Sequence, residues 1–278
     1  MIESFARAFK ALGVRLVPAV SDRFTVCYDG GIKVLHDGKV FDNKPADFIV
    51  FCDKDIMLAK AFESLGISVF NNSTAVETCD NKLATHEKLC GHNIPMPPTF
   101  AAPFIYNNRE LSEPSGFLDK VESALGYPLI VKEAYGSLGM QVYLINGKGE
   151  LSAIYNKLKH TPHLYQKYIA ESRGLDIRVY VIGGRAAGAC ERRCASDFRS
   201  NMQFGGKMSV VTPDKEYIKI AEKAAKLLKL DYCAVDFLQS KNGPLLCEIN
   251  SNAFFNTYVS LGGNDIAALY AKYILSKT

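Results

Sequence analysis

Two apolar segments, 232–238 and 245–250, flank the turn Lys241-Asn242-Gly243, and this pattern predicts an antiparallel hairpin. A three-residue turn places Asp236 directly opposite Glu248. Asn250 lies on the same face as Glu248, because side chains alternate along a strand and these two residues are two positions apart. Two carboxylates and an amide therefore share one face of an otherwise apolar strand pair.

Opposed carboxylates about 5 Å apart repel each other unless a cation or a proton lies between them. Ligand sets made only of oxygen favour magnesium or manganese, usually with substrate phosphates completing the coordination. The sequence therefore predicts a metal site formed by Asp236, Glu248 and Asn250. The alternative is a solvated polar face on an antiparallel sheet.

The N-terminal region alternates between helix and strand patterns, which is typical of a parallel α/β layer. We expect a helix through Phe5 and Phe9, strands over 14–17, 47–51 and 67–70, a helix capped by Asp53, and a helix over 80–90. The prolines between 95 and 98 predict a linker. The chain is accordingly divided into a substrate domain over 1–95, a central domain over 96–165 and a C-terminal domain over 166–278.

The rest of the chain predicts further strands and helices. Helices are expected over 114–125, after Thr212 as N-cap with Pro213 in the first position, and after Asn264 as N-cap. Strands are expected over 128–132, 141–145, 165–169 and 176–182, and the last of these turns at 183–184 into a return strand. A two-residue turn there places Asp176 opposite Glu191.

Composition limits the function classes. Hydrophobic residues make up 48% of the 278 residues, charged residues make up 22%, and the formal net charge is +4. These values exclude a disordered chain and argue against a general binder of nucleic acid. No apolar stretch approaches the ~18 residues that span a bilayer, and no signal peptide is evident. Eight cysteines without a C-x-x-C pair favour free thiols, so we expect a cytoplasmic protein without membrane partners.

Two further groups of residues could bind phosphate. Lys132 ends an apolar strand and precedes the loop Gly136-Ser137-Leu138-Gly139, whose backbone amides could close over an anion. Arginines concentrate between 178 and 199, which suits a polyphosphate and the charge that develops during phosphoryl transfer. The alternatives are a solvated strand end for the lysine and a charged edge strand for the arginines.

Several of these motifs occur together in one order. They are Asp176-Ile177-Arg178, Glu191-Arg192-Arg193, Asp197-Phe198-Arg199-Ser200-Asn201, Gly205-Gly206, Val235-Asp236 and Cys247-Glu248-Ile249-Asn250. In this order and near-spacing, the chain resembles the RimK-type branch of the ATP-grasp ligases. The resemblance extends upstream to the segment 128–132, the loop 136–139 and Asp80-Asn81-Lys82. It covers residues 80–278 well and the N-terminal region loosely.

The resemblance implies a mixed α+β and α/β chain: an ATP-grasp fold behind an N-terminal α/β domain that lacks the family's first strand. Arg178 and Arg192 would be catalytic, neutralising the transferred phosphoryl group. Asp236, Glu248 and Asn250 would hold two Mg²⁺ or Mn²⁺ ions. ATP would be bound by Lys82, Lys132, Gly136, Ser137, Gly139, Gln166, Lys167, Tyr168, Ile169, Asp176, Arg199 and Asn201. Strand alternation instead groups Arg193 with Asp176, and a β-bulge would reconcile the two assignments.

The implied activity is ATP-dependent formation of an amide from a carboxylate and an amine through an acyl phosphate, with a glutamate-like amino acid as the amine. Small-molecule and protein or peptide acceptors both remain open, as does a homo-oligomer. The alternatives are an inactive ATP-binding module that regulates a partner and a D-alanine-ligase-like dipeptide ligase. The chain departs from the family pattern at Lys167, which replaces an acidic residue, and in the segment 250–255, which ends in Phe254 and Phe255 and lacks the Pro-Gly pair that usually follows the metal-binding Asn. We expect these two phenylalanines to line an apolar substrate pocket.

Overall fold

A computed structural model describes residues 1–41, 46–106 and 116–278 of the chain. The helices of this described part are α1 (Ile2–Ala11), α2 (Ile56–Ser64), α3 (Ser73–Asp80), α4 (Lys82–Leu89), α5 (Phe117–Leu125), α6 (Lys148–Leu158), α7 (Lys215–Leu227), α8 (Asn256–Ser260) and α9 (Ile266–Leu275). None of them is long and apolar enough to cross a membrane. Residues 114 and 115 of the helix predicted over 114–125 lie outside the described residues.

The strands of the described residues form four sheets. The antiparallel sheet β1 (Phe24–Tyr28), β2 (Ile32–His36) and β3 (Lys39–Val40) precedes the parallel pair β4 (Phe48–Val50) and β5 (Ser68–Phe70). A four-stranded sheet has the order β6 (Thr99–Ala101), β9 (His163–Lys167), β7 (Leu129–Glu133) and β8 (Val142–Ile145). A five-stranded sheet has the order β12 (Lys207–Val210), β11 (Arg185–Arg193), β10 (Leu175–Ile182), β13 (Tyr232–Ser240) and β14 (Gly243–Asn250).

The hairpin β13–β14 confirms the predicted pairing of Asp236 with Glu248, although its turn differs from the prediction. Ser240 pairs with Gly243, so the turn has two residues rather than three. The register shifts by one residue between Asp236 and Phe237, where β14 carries Cys247 as an extra residue. This bulge restores the register that a three-residue turn would have produced.

The hairpin β10–β11 corrects a second register. The turn at 183–184 has two residues as predicted, since Ile182 pairs with Arg185. The register then shifts between Tyr180 and Val181, and Asp176 lies opposite Arg192. The predicted pair of Asp176 with Glu191 is therefore wrong, because simple alternation takes no account of a bulge. The bulge brings Arg192, rather than Arg193, onto the face of Asp176.

The N-terminal region differs from prediction at several points. Residues 14–17 form no strand, and the strands β1 to β3 were not predicted. The helix expected over 80–90 is α4, which begins at Lys82 after the cap Asn81, whose side chain accepts hydrogen bonds from the backbone of Leu83 and Ala84. The preceding helix α3 was not predicted. The predicted cap Asp53 is wrong, because Asp55 caps α2 by accepting from the Leu58 amide.

Two later helix caps are also displaced along the chain. α7 begins at Lys215 after Asp214, two residues beyond the predicted cap Thr212. α9 is capped by Asp265, while the predicted cap Asn264 donates its side-chain amide to the carbonyl of Ala187. In both cases a neighbouring Asp competes for the cap position, and such residues have similar intrinsic preferences for it.

The helix α1 packs against the C-terminal part of the chain. Its Phe5 and Phe9 are buried in one core with Tyr270 and Ile274 of α9. Phe255 joins this core, with its ring centroid 5.4 Å from that of Phe5. Phe255 is 1% exposed, and the expectation that it lines a substrate pocket with Phe254 remains a prediction. The predicted domain division at 95 and 165 remains a prediction.

Asn71 joins the end of β5 to the five-stranded sheet. Its buried side-chain amide donates to the carbonyls of Tyr232 (2.7 Å) and Ser251 (3.0 Å). Its carbonyl oxygen accepts from the backbone amides of Asp231 (2.7 Å) and Tyr232 (2.9 Å). One side chain thus satisfies four backbone groups at a junction between sheets.

Replacing Asn71 with Ala should lower the free energy of unfolding by at least about 2 kcal/mol, because buried backbone groups lose their partners. Urea denaturation followed by circular dichroism measures the change. The control N156A removes an exposed amide from α6 and should change stability by less than about 0.5 kcal/mol. Equal effects of the two substitutions would contradict the role assigned to Asn71.

Candidate active site

A buried cluster of arginines and aspartates occupies one face of the five-stranded sheet. Arg178 donates two hydrogen bonds to Asp236, from Nε to Oδ1 and from Nη2 to Oδ2, each 2.7 Å long. Arg192 donates to Asp236 Oδ2 at 2.9 Å and makes a second, two-pronged contact with Asp176. Strand register produces this arrangement, because Asp176, Arg178 and their partners on β11 and β13 share one face.

The carboxylate of Asp236 is the centre of this cluster. It also accepts a hydrogen bond from the Asn250 amide at 3.2 Å, and the residue is only 4% exposed. Burial by itself would raise the pKa of Asp236, but Arg178 and Arg192 outweigh it and hold that pKa below its usual range. Asp236 is therefore a charged carboxylate shared by two guanidinium groups.

Two lysines lie beside Glu248. Lys82 Nζ is 3.6 Å from Glu248 Oε1 and donates to the carbonyl of Gly136 at 2.9 Å. Lys132 Nζ lies 3.3 Å from the sulfur of Cys247. The Asn81 cap of α4 thus places Lys82 beside Glu248, and the bulge in β14 places Cys247 beside Lys132.

The glycine-rich loop contacts the segment that connects β11 to β12. The carbonyl of Gly139 accepts a hydrogen bond from Arg199 Nη1 at 2.8 Å. Gly139 has φ +76°, and a Cβ added there would lie 2.8 Å from Asn201 Oδ1 and 3.2 Å from the Phe204 ring. Only glycine fits this backbone conformation and this close approach. Arg199 itself is held by Asp197 and stacks 3.5 Å from the Phe204 ring centroid.

A cleft of about 730 Å³, including its open mouth, separates the four-stranded and five-stranded sheets. It brings together most of the residues that the sequence predicted as a site. These are Lys132, Gly139, Gln166, Lys167, Tyr168, Ile169, Asp176, Arg192, Arg199, Asn201, Asp236 and Glu248. We refer to it as the central cleft.

The other predicted residues lie around the central cleft or apart from it. Three of them contact residues that line the cleft. Lys82 contacts Glu248, and both Arg178 and Asn250 contact Asp236. Gly136 contributes the carbonyl that accepts from Lys82. Ser137 is not among the residues that line the central cleft, and its carbonyl accepts from the Met140 amide within the loop.

The donor set for a divalent cation consists of oxygen atoms on adjacent strands. Asp236 and Glu248 are paired in register, and the Glu248 side chain is 30% exposed towards solvent. Within the described ranges, no group of three or more His, Cys, Asp or Glu residues could hold a metal. Asp236, Glu248 and Asn250 are an oxygen donor set of the type that Mg²⁺ or Mn²⁺ takes, and substrate oxygens would have to complete the coordination.

Two functional contacts were missed at the sequence level. His86 lies one helical turn after Lys82 on α4, and its Nε2 is 3.4 Å from the side-chain nitrogen of Gln166. Burial, assisted by the nearby Lys132 charge, lowers the pKa of His86 to about 4. Cys247 was interpreted only as packing, yet it contacts Lys132. The i, i+4 spacing of Lys82 and His86 was the signal available for the first contact.

The fold of this chain is shared with solved ATP-grasp proteins. A RimK-domain ATP-grasp protein from Sphaerobacter thermophilus superposes with a TM-score of 0.70 at 18% identity, covering 98% of this chain and 94% of that one. The ATP-grasp ligase PsnB, in a complex with a minimal precursor, superposes with a TM-score of 0.71 at 18% identity, covering 100% and 95%. These likenesses define an ATP-grasp fold.

Sequence comparison gives the family. Residues 79–274 match the RimK-like ATP-grasp domain, and the chain belongs to that family. It is 34% identical over 228 residues to β-citrylglutamate synthase B of Danio rerio, covering 81% of this chain and 54% of the relative. It is 36% identical over 229 residues to human N-acetylaspartylglutamate synthase A, covering 81% and 56%. The chain thus spans about half the length of these curated relatives.

Replacing Asp236 with Asn should lower the free energy of unfolding by about 3 kcal/mol, because two buried guanidinium groups lose their shared counter-charge. The control E191Q alters a carboxylate whose partner Arg193 is exposed, and should cost less than about 1 kcal/mol. Chemical denaturation of both variants measures the difference. A cost below 1 kcal/mol for D236N would show that the cluster does not depend on this charge.

His86 should make stability fall as the pH decreases. Its folded-state pKa of about 4 lies below the ordinary value of 6.5. Between pH 6.5 and pH 4 the unfolded chain therefore binds a proton at His86 that the folded protein does not bind, and this favours unfolding. The loss should reach about 2–3 kcal/mol at pH 4 and should be absent from H86Q. The control H92Q replaces an exposed histidine. Denaturation midpoints between pH 4 and 7 test this, and parallel profiles for the wild type and H86Q would refute it.

Proposed function

We propose that this chain is an ADP-forming ligase that joins a carboxylate to an amine through an acyl phosphate. The observation that carries the proposal is the buried cluster of Arg178, Arg192 and Asp236, which lies beside Glu248 along the central cleft. Guanidinium groups with a fixed geometry suit the transfer of a phosphoryl group. Membership of the RimK-like ATP-grasp family supports the same reaction class.

ATP is proposed to occupy the central cleft. Lys82 and Lys132 would contact its phosphates under the loop that contains Gly136, Ser137 and Gly139. The segment 166–169 lies at the end of β9, where the two sheets meet at the cleft, and would hold the adenine. Three further residues would complete the nucleotide site, with Asp176 on the ribose and Arg199 and Asn201 on the phosphate side.

The chemistry proceeds in two displacements. A carboxylate oxygen of the first substrate attacks the γ-phosphorus of ATP, and ADP leaves. Arg178 and Arg192 are proposed to stabilise the negative charge on the transferring oxygens. The amine nitrogen of the second substrate then attacks the acyl carbon, phosphate leaves, and an amide bond forms. No covalent intermediate with the enzyme is required.

Asp236, Glu248 and Asn250 are proposed to hold two Mg²⁺ or Mn²⁺ ions together with the phosphates. Their oxygen atoms are hard ligands, and the register of β13 and β14 holds the two carboxylates opposite each other. Bound divalent ions would neutralise phosphate charge, which is their general contribution to phosphoryl transfer.

Glutamate is proposed as the amine substrate. The two curated relatives are named as synthases of N-acetylaspartylglutamate and β-citrylglutamate, which share glutamate as a component. We propose that the carboxylate substrate is a small acidic molecule. A peptide is the second class of carboxylate substrate to test, since PsnB has been solved with a precursor peptide. The eight free cysteines support a reducing, cytoplasmic compartment.

Release of ADP tests the proposed reaction. The protein should release ADP from MgATP only when glutamate and a pool of small carboxylates or peptides are both present. E248Q should lower the rate by at least about a hundredfold, because a charge next to the phosphates is lost. E191Q, which changes an acid on strand β11 of the same sheet, should keep the wild-type rate.

The alternative is a nucleotide-binding protein without ligase activity. ATP binding without ADP release above background, for every pool, would favour that alternative. Full activity of E248Q would instead refute the assignment of Glu248 as a metal ligand. Folding of each variant is checked by its thermal transition, so that lost activity is not mistaken for an unfolded protein.

A further inference from the structure

The side-chain amide of Gln166 is held from two sides within the central cleft. Its Nε2 donates to Thr99 Oγ1 at 3.0 Å and lies 3.4 Å from His86 Nε2. Gln166 is 1% exposed, and the register of β9 places it opposite both Thr99 and Ile130. Because Ile130 also lines the central cleft, the Gln166 side chain lies on the cleft face of this sheet.

The hydrogen bonds of Thr99 determine which way the Gln166 amide points. The hydroxyl of Thr99 donates its proton to the carbonyl of Pro97 at 2.8 Å. It can therefore only accept from Gln166, and the atom that faces it must be the amide nitrogen. The opposite orientation would set two acceptors against each other.

His86 acts in the same direction as Thr99. Burial and the charge of Lys132 lower the pKa of His86 to about 4, so at neutral pH its imidazole is uncharged and Nε2 can accept a proton. Both N–H groups of the Gln166 amide are then used, one by Thr99 and one by His86. The carbonyl oxygen of Gln166 has no hydrogen bond to any described residue, and it is the polar atom left for a ligand.

We propose that Thr99 and His86 are positioning residues that hold the Gln166 carbonyl towards the nucleobase, so that the site selects a purine with a 6-amino group over one with a 6-oxo group. A 6-amino group donates to this oxygen, whereas a 6-oxo group would oppose one acceptor with another. The inference rests on the proposed function only in placing a nucleotide base at this end of the central cleft.

Binding of ATP and of inosine triphosphate tests the proposal, because the two nucleotides differ at the 6-position and at the adjacent ring N1. Dissociation constants are measured by calorimetry at pH 7.5 with Mg²⁺ for the wild type, the double variant T99V/H86L and the conservative variant T99S. The wild type should prefer ATP by about tenfold to a hundredfold. The double variant frees the Gln166 amide to rotate, so its preference should fall to about threefold or less. T99S keeps the hydroxyl and should retain the wild-type preference.

The outcomes separate this inference from the proposed function. An unchanged ATP preference in T99V/H86L, or a loss in T99S equal to that in the double variant, would overturn the positioning role while the wild type still binds ATP. Failure of the wild type to bind either nucleotide would overturn the proposed function as well. Thermal transitions show that each variant is folded, and the ratio of two affinities in one variant cancels any loss of active protein.

Discussion

The carboxylate of Asp236 is the interaction on which the rest of the site depends. It joins three strands, since Arg178 reaches it from β10, Arg192 reaches it from β11, and the amide of Asn250 reaches it from β14. Buried charges are costly unless they are paired and fully hydrogen-bonded. Because this sheet buries two guanidinium groups, Asp236 must stay ionised and the strand register must keep it between them. The apolar core behind the sheet stabilises that register.

The attachment of the N-terminal region follows a similar principle with neutral groups. Asn71 satisfies backbone groups of β13 and of the segment after β14, so the end of β5 lies directly beside the strands that carry Asp236 and Glu248. A second bridge comes from Asn252, whose amide donates to the carbonyl of Asp53 at 2.6 Å. Residues from the N-terminal region thereby lie against the strands that carry the cluster.

Much of the site could be predicted from the sequence because the residues that carry it lie on regular strands. Alternation and one hairpin paired Asp236 with Glu248, although the pairing is correct only because the bulge at Cys247 offsets the error in the predicted turn length. Alternation failed for Arg192, since an extra residue in one strand leaves no periodic signal in the sequence. Helix ends were misplaced for a related reason: Asp53 and Asp55 are equally good caps locally, and tertiary contacts select between them. The roles of His86 and Thr99 depend on contacts between distant segments, which no local pattern encodes.

The contact between the glycine-rich loop and the connection from β11 to β12 has a consequence for exchange kinetics. Gly139 is held by Arg199 and lies against Asn201 and Phe204, so the loop is bridged to that connection beside the central cleft. A ligand as large as a nucleotide can enter or leave by this side only after that bridge has opened. Exchange by this route would then be gated by that local opening, and the rate of opening would limit how fast a nucleotide passes there however fast the bond-making steps are.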